Sequence, residues 1–330
     1  MEYRQLGRTA LQVSTLGFGC GAVGGLLVKG DHKDMVQTVA RAIELGINYF
    51  DTARIYGNGA SEANLGLVLE ELKADVLIGT KVRLLAEEMD GSENAVIASV
   101  EGSLKRLRRD RVDLIQLHNS VAFERQPERG QVSLDNVKAV VHAFQKLEQQ
   151  GRVCYWGING LGETAALQQA VASGCVDTIQ CCFSLLNPTA GVRAPEGFPF
   201  QDYGQLIDRA AGMRMGVIAI RVLAGGALSG SAARHPNATQ TVEPIATHTA
   251  FAEDVTLAQR FNFLVQQGYV SSLVEAAIRF VIGKAGVSTV LVGISNMEQL
   301  EQAVAFANRG PLPATVLDRL SQVWANYRFH

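Results

Sequence analysis

One alternation constrains this chain more than any other feature. Short runs of Val, Ile and Leu are each followed by a stretch of helical periodicity, and the pair recurs eight times. The apolar runs fall at 16–19, 47–50, 76–80, 112–117, 153–158, 176–180, 217–220 and 289–292. Helical patterns follow at 34–45, 61–72, 92 to about 108, 133–150, 163–173, 203–213, 274–282 and 297–307. Gly46 and Gly151 stop two of them, and Ser92 is placed to cap a third. In the 133–150 segment Val137, Val140, Val141, Phe144 and Leu147 form one stripe. Strands that are apolar throughout, rather than on alternate residues, suit a parallel sheet covered on both faces. Eight such units predict an α/β fold, a closed (β/α)8 TIM barrel, rather than an open doubly wound sheet.

The usual barrel takes about 250 residues, and this chain has 330. An N-terminal hairpin over residues 3–13 with its turn near Gly7, a long loop at 221–255 after strand 7, and a C-terminal helix at 313–325 account for the excess. No linker interrupts the pattern, so residues 1–330 read as one domain. Lys and Arg number 30 against 32 Asp and Glu, a net charge of −2, and no like-charge run is long. That balance predicts neither a nucleic-acid nor a membrane partner. The N-terminus is polar, and no apolar stretch reaches the roughly 18–20 residues of a membrane span. The expectation is a soluble, cytoplasmic protein. The five cysteines lack zinc-type spacing and read as free thiols, and no metal site is expected.

In a barrel of this type the active site lies at the C-terminal ends of the strands. Asp51, Lys81 and His118 stand at those ends on strands two, three and four, and Tyr56 stands on the loop after strand two, before Gly57. A free phenol, with a pKa of about 10, is a poor acid at neutral pH. An adjacent ammonium is expected to lower that value, and a carboxylate to hold the ammonium charged and in place. Tyr56 can then exchange a proton with a carbonyl oxygen that His118 orients. No activated Ser or Cys is evident, so the group suits a carbonyl that receives a hydride, with a nicotinamide as its source. Each residue also has a plainer use. Asp51 can cap a turn, Tyr56 can cover a loop, Lys81 can be a rim charge, and His118 can be a satisfied strand-end side chain. Their occurrence together at consecutive strand ends favours the chemical reading.

These residues also carry a resemblance. Leu6-Gly7-Arg8-Thr9 through Leu16-Gly17-Phe18-Gly19, Asp51-Thr52-Ala53 with Tyr56-Gly57 and Ser61-Glu62, Gly79-Thr80-Lys81-Val82, and Asp113 through His118 occur in order. The chain resembles an aldo-keto reductase over essentially its whole length. The resemblance implies Asp51, Tyr56, Lys81 and His118 as a catalytic tetrad, and a nicotinamide dinucleotide bound without a Rossmann fold. It implies Gln180 on the cofactor carboxamide and Phe183 stacked on the nicotinamide ring. Leu223, Gly225, Gly226 and Leu228 would form the loop against the pyrophosphate; glycines do let backbone amides approach phosphates.

Three segments depart from the family pattern. Asn159 stands where a Ser-Asn pair usually meets the carboxamide. Arg221 opens the loop after strand 7 in place of Ser-Pro-Leu; it can reach a cofactor phosphate or a substrate acid, or pair with a nearby carboxylate. The last strand end and its helix, residues 293–303, hold no Lys or Arg for a 2′-phosphate. There Gly293, Ser295, Asn296, Gln299 and Gln302 are placed around an adenosine ribose, while Asn296 and Gln299 can also cap the helix. The cofactor is therefore NADP or NAD, with a lean to NAD; a helix N-terminus can itself bind a phosphate, so NADP stays open. The expected activity is interconversion of a small carbonyl or sugar and its alcohol, and NAD-linked sugar dehydrogenases look similar in this segment. The alternative is a non-enzymatic nucleotide-sensing subunit resembling potassium-channel β subunits. A lyase or aldolase using Lys81 as a Schiff-base amine is disfavoured, because a nearby Asp51 keeps the lysine protonated. The 221–255 loop and the C-terminal segment to His330 would shape the substrate pocket.

Overall fold

The fold is given by a computed structural model that describes residues 1–245, 247 and 249–327. Eight parallel strands close a barrel: β1 (Leu16–Gly19), β2 (Tyr49–Asp51), β3 (Leu77–Val82), β4 (Val112–Leu117), β5 (Val153–Gly160), β6 (Thr178–Cys182), β7 (Gly216–Ile220) and β8 (Val287–Gly293). Each is followed by a helix: α1 (His32–Glu44), α2 (Ala60–Glu71), α3 (Ser92–Leu107), α4 (Leu134–Gln149), α5 (Thr164–Ala172), α6 (Leu206–Gly212), α7 (Leu273–Ile282) and α8 (Met297–Ala307). The helix Ala314–Ala325 lies beyond them. No helix among the described residues is long and apolar enough to cross a membrane.

Local chemistry fixes the boundaries. Ser133 caps α4 by accepting from the Asn136 amide, and the α4 stripe from Val137 to Leu147 is buried as its period requires. α1 ends one residue early at Glu44, and Gly46 takes φ 91° just beyond, a conformation glycine adopts at little cost. Ser92 departs from expectation. It is the first helical residue of α3, and Gly91 occupies the cap with no side-chain bond. β2 and β6 begin two residues later than their apolar runs and extend further at the C-terminal end, so Asp51 lies inside a strand.

The interior is layered. Tyr49, Leu114, Ile218 and Leu291 fill the lower layer and pack on Leu6 and Val13. Those two belong to an antiparallel hairpin, Tyr3–Gln5 against Gln12–Ser14, which closes the N-terminal end of the barrel. Parity along the strands then directs Asp51, Lys81, Gln116 and Gln180 into the layer above. Two loops at the C-terminal end have structure of their own. After β4, Ser120–Val121 pairs with Gln131–Val132, and a 3-10 turn, Pro127–Arg129, lies between. The 221–255 segment is not the continuous loop its composition suggested: it contains the 3-10 turn Ala224–Ser229 and enters the helix Phe251–Ala258. Ala246 and His248 in that segment, and residues 328–330 of the C-terminal segment, lie outside the described residues.

Candidate active site

The upper layer is an ionic pair with a polar cage. Lys81, 1% exposed, donates to Asp51 Oδ1 and, at 2.8 Å, to the Thr52 carbonyl. Asp51 Oδ2 accepts from Gln180 at 2.8 Å, from the Tyr49 hydroxyl at 3.2 Å and from Gln116 at 3.4 Å. The carboxylate is thus saturated with donors, and its charge is aimed at the lysine. Lys81 Nζ lies 5.0 Å from the centre of the Tyr56 ring. That ring meets His118 edge-on, with centroids 5.7 Å apart and planes at 86°. The Tyr56 amide donates to the Ala53 carbonyl, which sets the turn after β2. His118 donates its backbone N–H to Val82 at 2.7 Å, and its Nδ1 is buried with no partner among the described residues. The four side chains are brought together.

Burial governs their protonation. It pushes the Asp51 carboxyl up against the opposing pull of Lys81. Burial pulls Lys81 down, but Asp51 and Tyr56 more than offset this, and the ammonium is held above its usual range. The Tyr56 phenol was expected to fall beside an ammonium. It rises instead, because burial outweighs the lowering by Lys81 and Asp51 adds to the rise. His118 is pushed well below the usual imidazole range by burial, then by Lys81 and Arg83, and is therefore neutral.

A groove of about 820 Å³ runs over this layer, within the range of cofactor and ligand sites. Asp51, Tyr56, His118, Asn159, Gln180, Arg221, Leu223, Gly225, Gly226, Gly293, Ser295, Gln299 and Gln302 line it. Asn159 is 3% exposed; its Nδ2 donates to the His118 carbonyl at 3.3 Å and its Oδ1 has no partner among the described residues. It stands in register with Gln180, whose amide nitrogen is committed to Asp51. Arg221 sits at φ 57° and donates to the Glu243 main-chain carbonyl at 3.2 Å, not to a carboxylate. Ser295 Oγ donates to the Gly24 carbonyl, and Gln299 Oε1 accepts from the Ser295 amide.

Three expected contacts lie elsewhere. Phe183 is 1% exposed and stacks on Phe280 of α7, with centroids 4.9 Å apart, outside the barrel. Parity explains this: Gln180 points inward, so a residue three positions on points outward. Leu228 is buried, and its amide donates to the Leu223 carbonyl, closing the turn rather than facing the groove. The Asn296 carboxamide accepts from the Gln299 amide as the α8 cap, and the residue does not line the groove. Several lining residues were missed in the sequence. Ile220 ends β7 on the inward parity set by Ile218, which a count of two would have found. Gly21 to Gly24, Arg83, Arg129 and Arg234 carry no periodic trace.

A closed parallel barrel with an ionic pair, a phenol and an imidazole at its C-terminal strand ends is the architecture of a barrel oxidoreductase. A family model, the Aldo/keto reductase family, matches residues 15–325, and the chain belongs to that family. Its members are in general NAD(P)(H)-dependent oxidoreductases acting on small carbonyl compounds. Among its relatives is "L-galactose dehydrogenase" of Arabidopsis thaliana, 31% identical over 315 residues, which span 92% of this chain and 88% of that protein. A "probable voltage-gated potassium channel subunit beta" of the same plant is 25% identical over 98% of this chain and 96% of that protein. The holo form of aldo-keto reductase AKR11C1 from Bacillus halodurans aligns with TM-score 0.72 and 25% identity, covering 98% of this chain and 96% of that one.

Proposed function

We propose that this chain interconverts a carbonyl group and an alcohol on a small molecule, with Tyr56 as the proton donor and acceptor. The observation that carries this reading is the buried Lys81, fixed by Asp51 and set beneath the Tyr56 ring, with His118 at the ring's edge. In reduction Tyr56 O–H donates to the oxygen of the carbonyl. In oxidation the phenolate takes the proton back from the alcohol, and the Lys81 ammonium stabilises that anion. Neutral His118 orients the same oxygen by a hydrogen bond, and Asp51 keeps Lys81 charged.

The groove fits a nicotinamide dinucleotide. The orphaned Asn159 Oδ1 would accept from its carboxamide, with Gln180 alongside. The turn through Gly225 and Gly226, with φ 68° and 110°, and Leu223 would receive the pyrophosphate. Ser295, Gln299 and Gln302 would lie at the ribose. Bound there, the nucleotide supplies or takes the hydride. The lean is to NAD. No Lys or Arg occurs in 293–303, and nearby Arg234 already donates to the carbonyls of Gly225, Val23 and Thr239. Similarity to a protein named for L-galactose places sugars among the substrates to be tried. A nucleotide-sensing role is the second reading, favoured by the channel-subunit relative.

Tyr56→Phe decides between them. Loss of turnover by about 10²–10⁴-fold is expected, while titration by nucleotide fluorescence shows cofactor affinity retained. Turnover near that of the unaltered protein would overturn the proton-transfer role, and no turnover of any carbonyl or sugar by the unaltered protein would favour sensing. The same titration with NADPH and NADH tests the cofactor; markedly tighter NADPH binding would refute the NAD lean.

A further inference from the structure

Two arginines at the mouth of the groove have no part in the chemistry so far. Arg83 lies two residues beyond Lys81 on β3, and Arg129 ends the 3-10 turn in the β4 loop; both are exposed and line the groove. Neither guanidinium has a hydrogen bond or an ion pair with another described residue. Arg125 in the same loop, by contrast, is paired with Asp90.

Their proximity is built. Asn119, 1% exposed, accepts from the Leu84 amide at 2.8 Å and donates to the Leu84 carbonyl at 2.9 Å and the Gly130 carbonyl at 3.0 Å. One buried amide therefore pins the residue after Arg83 and the residue after Arg129. Arg83 Nη2 lies 2.9 Å from the point where a Cβ on Gly130 would stand. Among the described residues that line the groove, only Asp51 and Glu243 are acidic. Asp51 is matched by Lys81, and the lining Glu243 belongs to the β7 segment beside Arg221. Arg83 is also close enough to His118 to help hold its imidazole neutral.

We propose that the substrate of this site carries an anionic group, a carboxylate or a phosphate ester, which Arg83 and Arg129 receive while the reacting carbon lies at Tyr56 and His118. This rests on the carbonyl–alcohol reading above. Guanidinium forks match planar carboxylate and phosphate oxygens, and a cleft lined by cations concentrates such ligands.

The test compares charged and neutral ligands of similar shape, by calorimetry on nucleotide-saturated protein. Succinate against succinamide probes a carboxylate, and glycerol 3-phosphate against glycerol probes a phosphate. The unaltered protein is expected to bind at least one charged ligand about tenfold or more tightly than its neutral partner, the scale of one charge-assisted hydrogen bond. Arg83→Gln and Arg129→Gln are each expected to lose several-fold of that ratio, and the double variant to bring it to about one. The arm with the larger ratio identifies the anion. Equal binding of charged and neutral ligands, or a ratio that survives in the double variant, would overturn the proposal. Turnover separates this from the underlying reading. If succinic semialdehyde is reduced no better than butanal, and glyceraldehyde 3-phosphate no better than glyceraldehyde, the anion clamp fails and the reductase stands. If none is reduced yet charged ligands bind through the arginines, the reductase fails and the clamp stands.

Discussion

At the scale of single residues, the site is a set of protonation states chosen by burial. Lys81 stays charged because Asp51 is locked beside it. Tyr56 stays protonated because the same burial disfavours its anion more than Lys81 favours it. His118 is the member with a consequence for stability. Its imidazole is pushed well below the usual range in the folded chain, whereas in the unfolded chain it titrates near 6.5. Below about pH 6.5 the unfolded state therefore holds a proton that the folded state lacks, and this contribution to stability falls as the pH drops. Above that pH both forms are neutral and the contribution is flat. The expectation is that urea midpoints for the unaltered protein fall further between pH 7.5 and 5.5 than those for His118→Asn. Parallel losses in the two proteins would show that His118 protonates freely in the fold.

At the scale of elements, the segment after β7 is the one whose behaviour follows from its hydrogen bonds rather than its composition. It leaves β7 at Arg221, turns through Ala224–Ser229 and reaches the loops that follow the neighbouring strands β8 and β1. There the Thr239 amide donates to the Ala22 carbonyl at 2.8 Å, and Asn237 donates to the Ser295 carbonyl at 3.0 Å. Arg234 ties the crossing together by donating to Gly225 at 2.7 Å and Val23 at 3.3 Å. A strap of this kind slows the departure of whatever lies beneath it. Arg234→Ala is expected to weaken nucleotide binding by about tenfold, the scale of one charge-assisted bond, mostly through faster dissociation. Stopped-flow release of the bound nucleotide measures it, and an unchanged off-rate would mean the crossing does not restrain the cofactor. The strap also marks where the sequence ceases to be informative. Strands and helices announce themselves by period, so β1, β4 and α8 have the bounds that their residues suggest. Arg234 acts on main-chain carbonyls, one of them 211 residues away, and no local pattern encodes that. Phe183 is a different case. Its outward direction follows from parity with Gln180, and family position alone had assigned it to the groove.

At the scale of the whole molecule, the two ends of the barrel do different work. Asp51, Lys81 and His118 were legible because each lies at or next to a strand end, with Tyr56 on the loop just beyond β2, and strand ends of a parallel barrel share one rim. The other end holds the apolar layer beneath them, closed by the hairpin. Leu6 is fully buried there against Val13, Tyr49, Leu114, Ile218 and Leu291. Its backbone is fixed as well, since its amide donates to the Leu11 carbonyl at 2.9 Å and its own carbonyl accepts from Thr9 Oγ1 at 2.8 Å. Truncation therefore leaves a cavity that the hairpin is poorly placed to collapse into, and Leu6→Ala is expected to cost about 2–5 kcal/mol. Tyr49 hydrogen-bonds upward from this layer, through its hydroxyl to Asp51 at 3.2 Å. Its backbone is held by the neighbouring strands, and Asp51 keeps two further donors in Gln180 and Gln116. Turnover per folded molecule and nucleotide affinity should consequently stay within about twofold of the unaltered protein, well under the tenfold that 1.4 kcal/mol at the site would produce. Denaturant titration measures the loss of stability, and steady-state kinetics below the melting range measures turnover. A variant that kept its stability but lost turnover would place Leu6 in the function of the upper rim rather than in the support of the barrel.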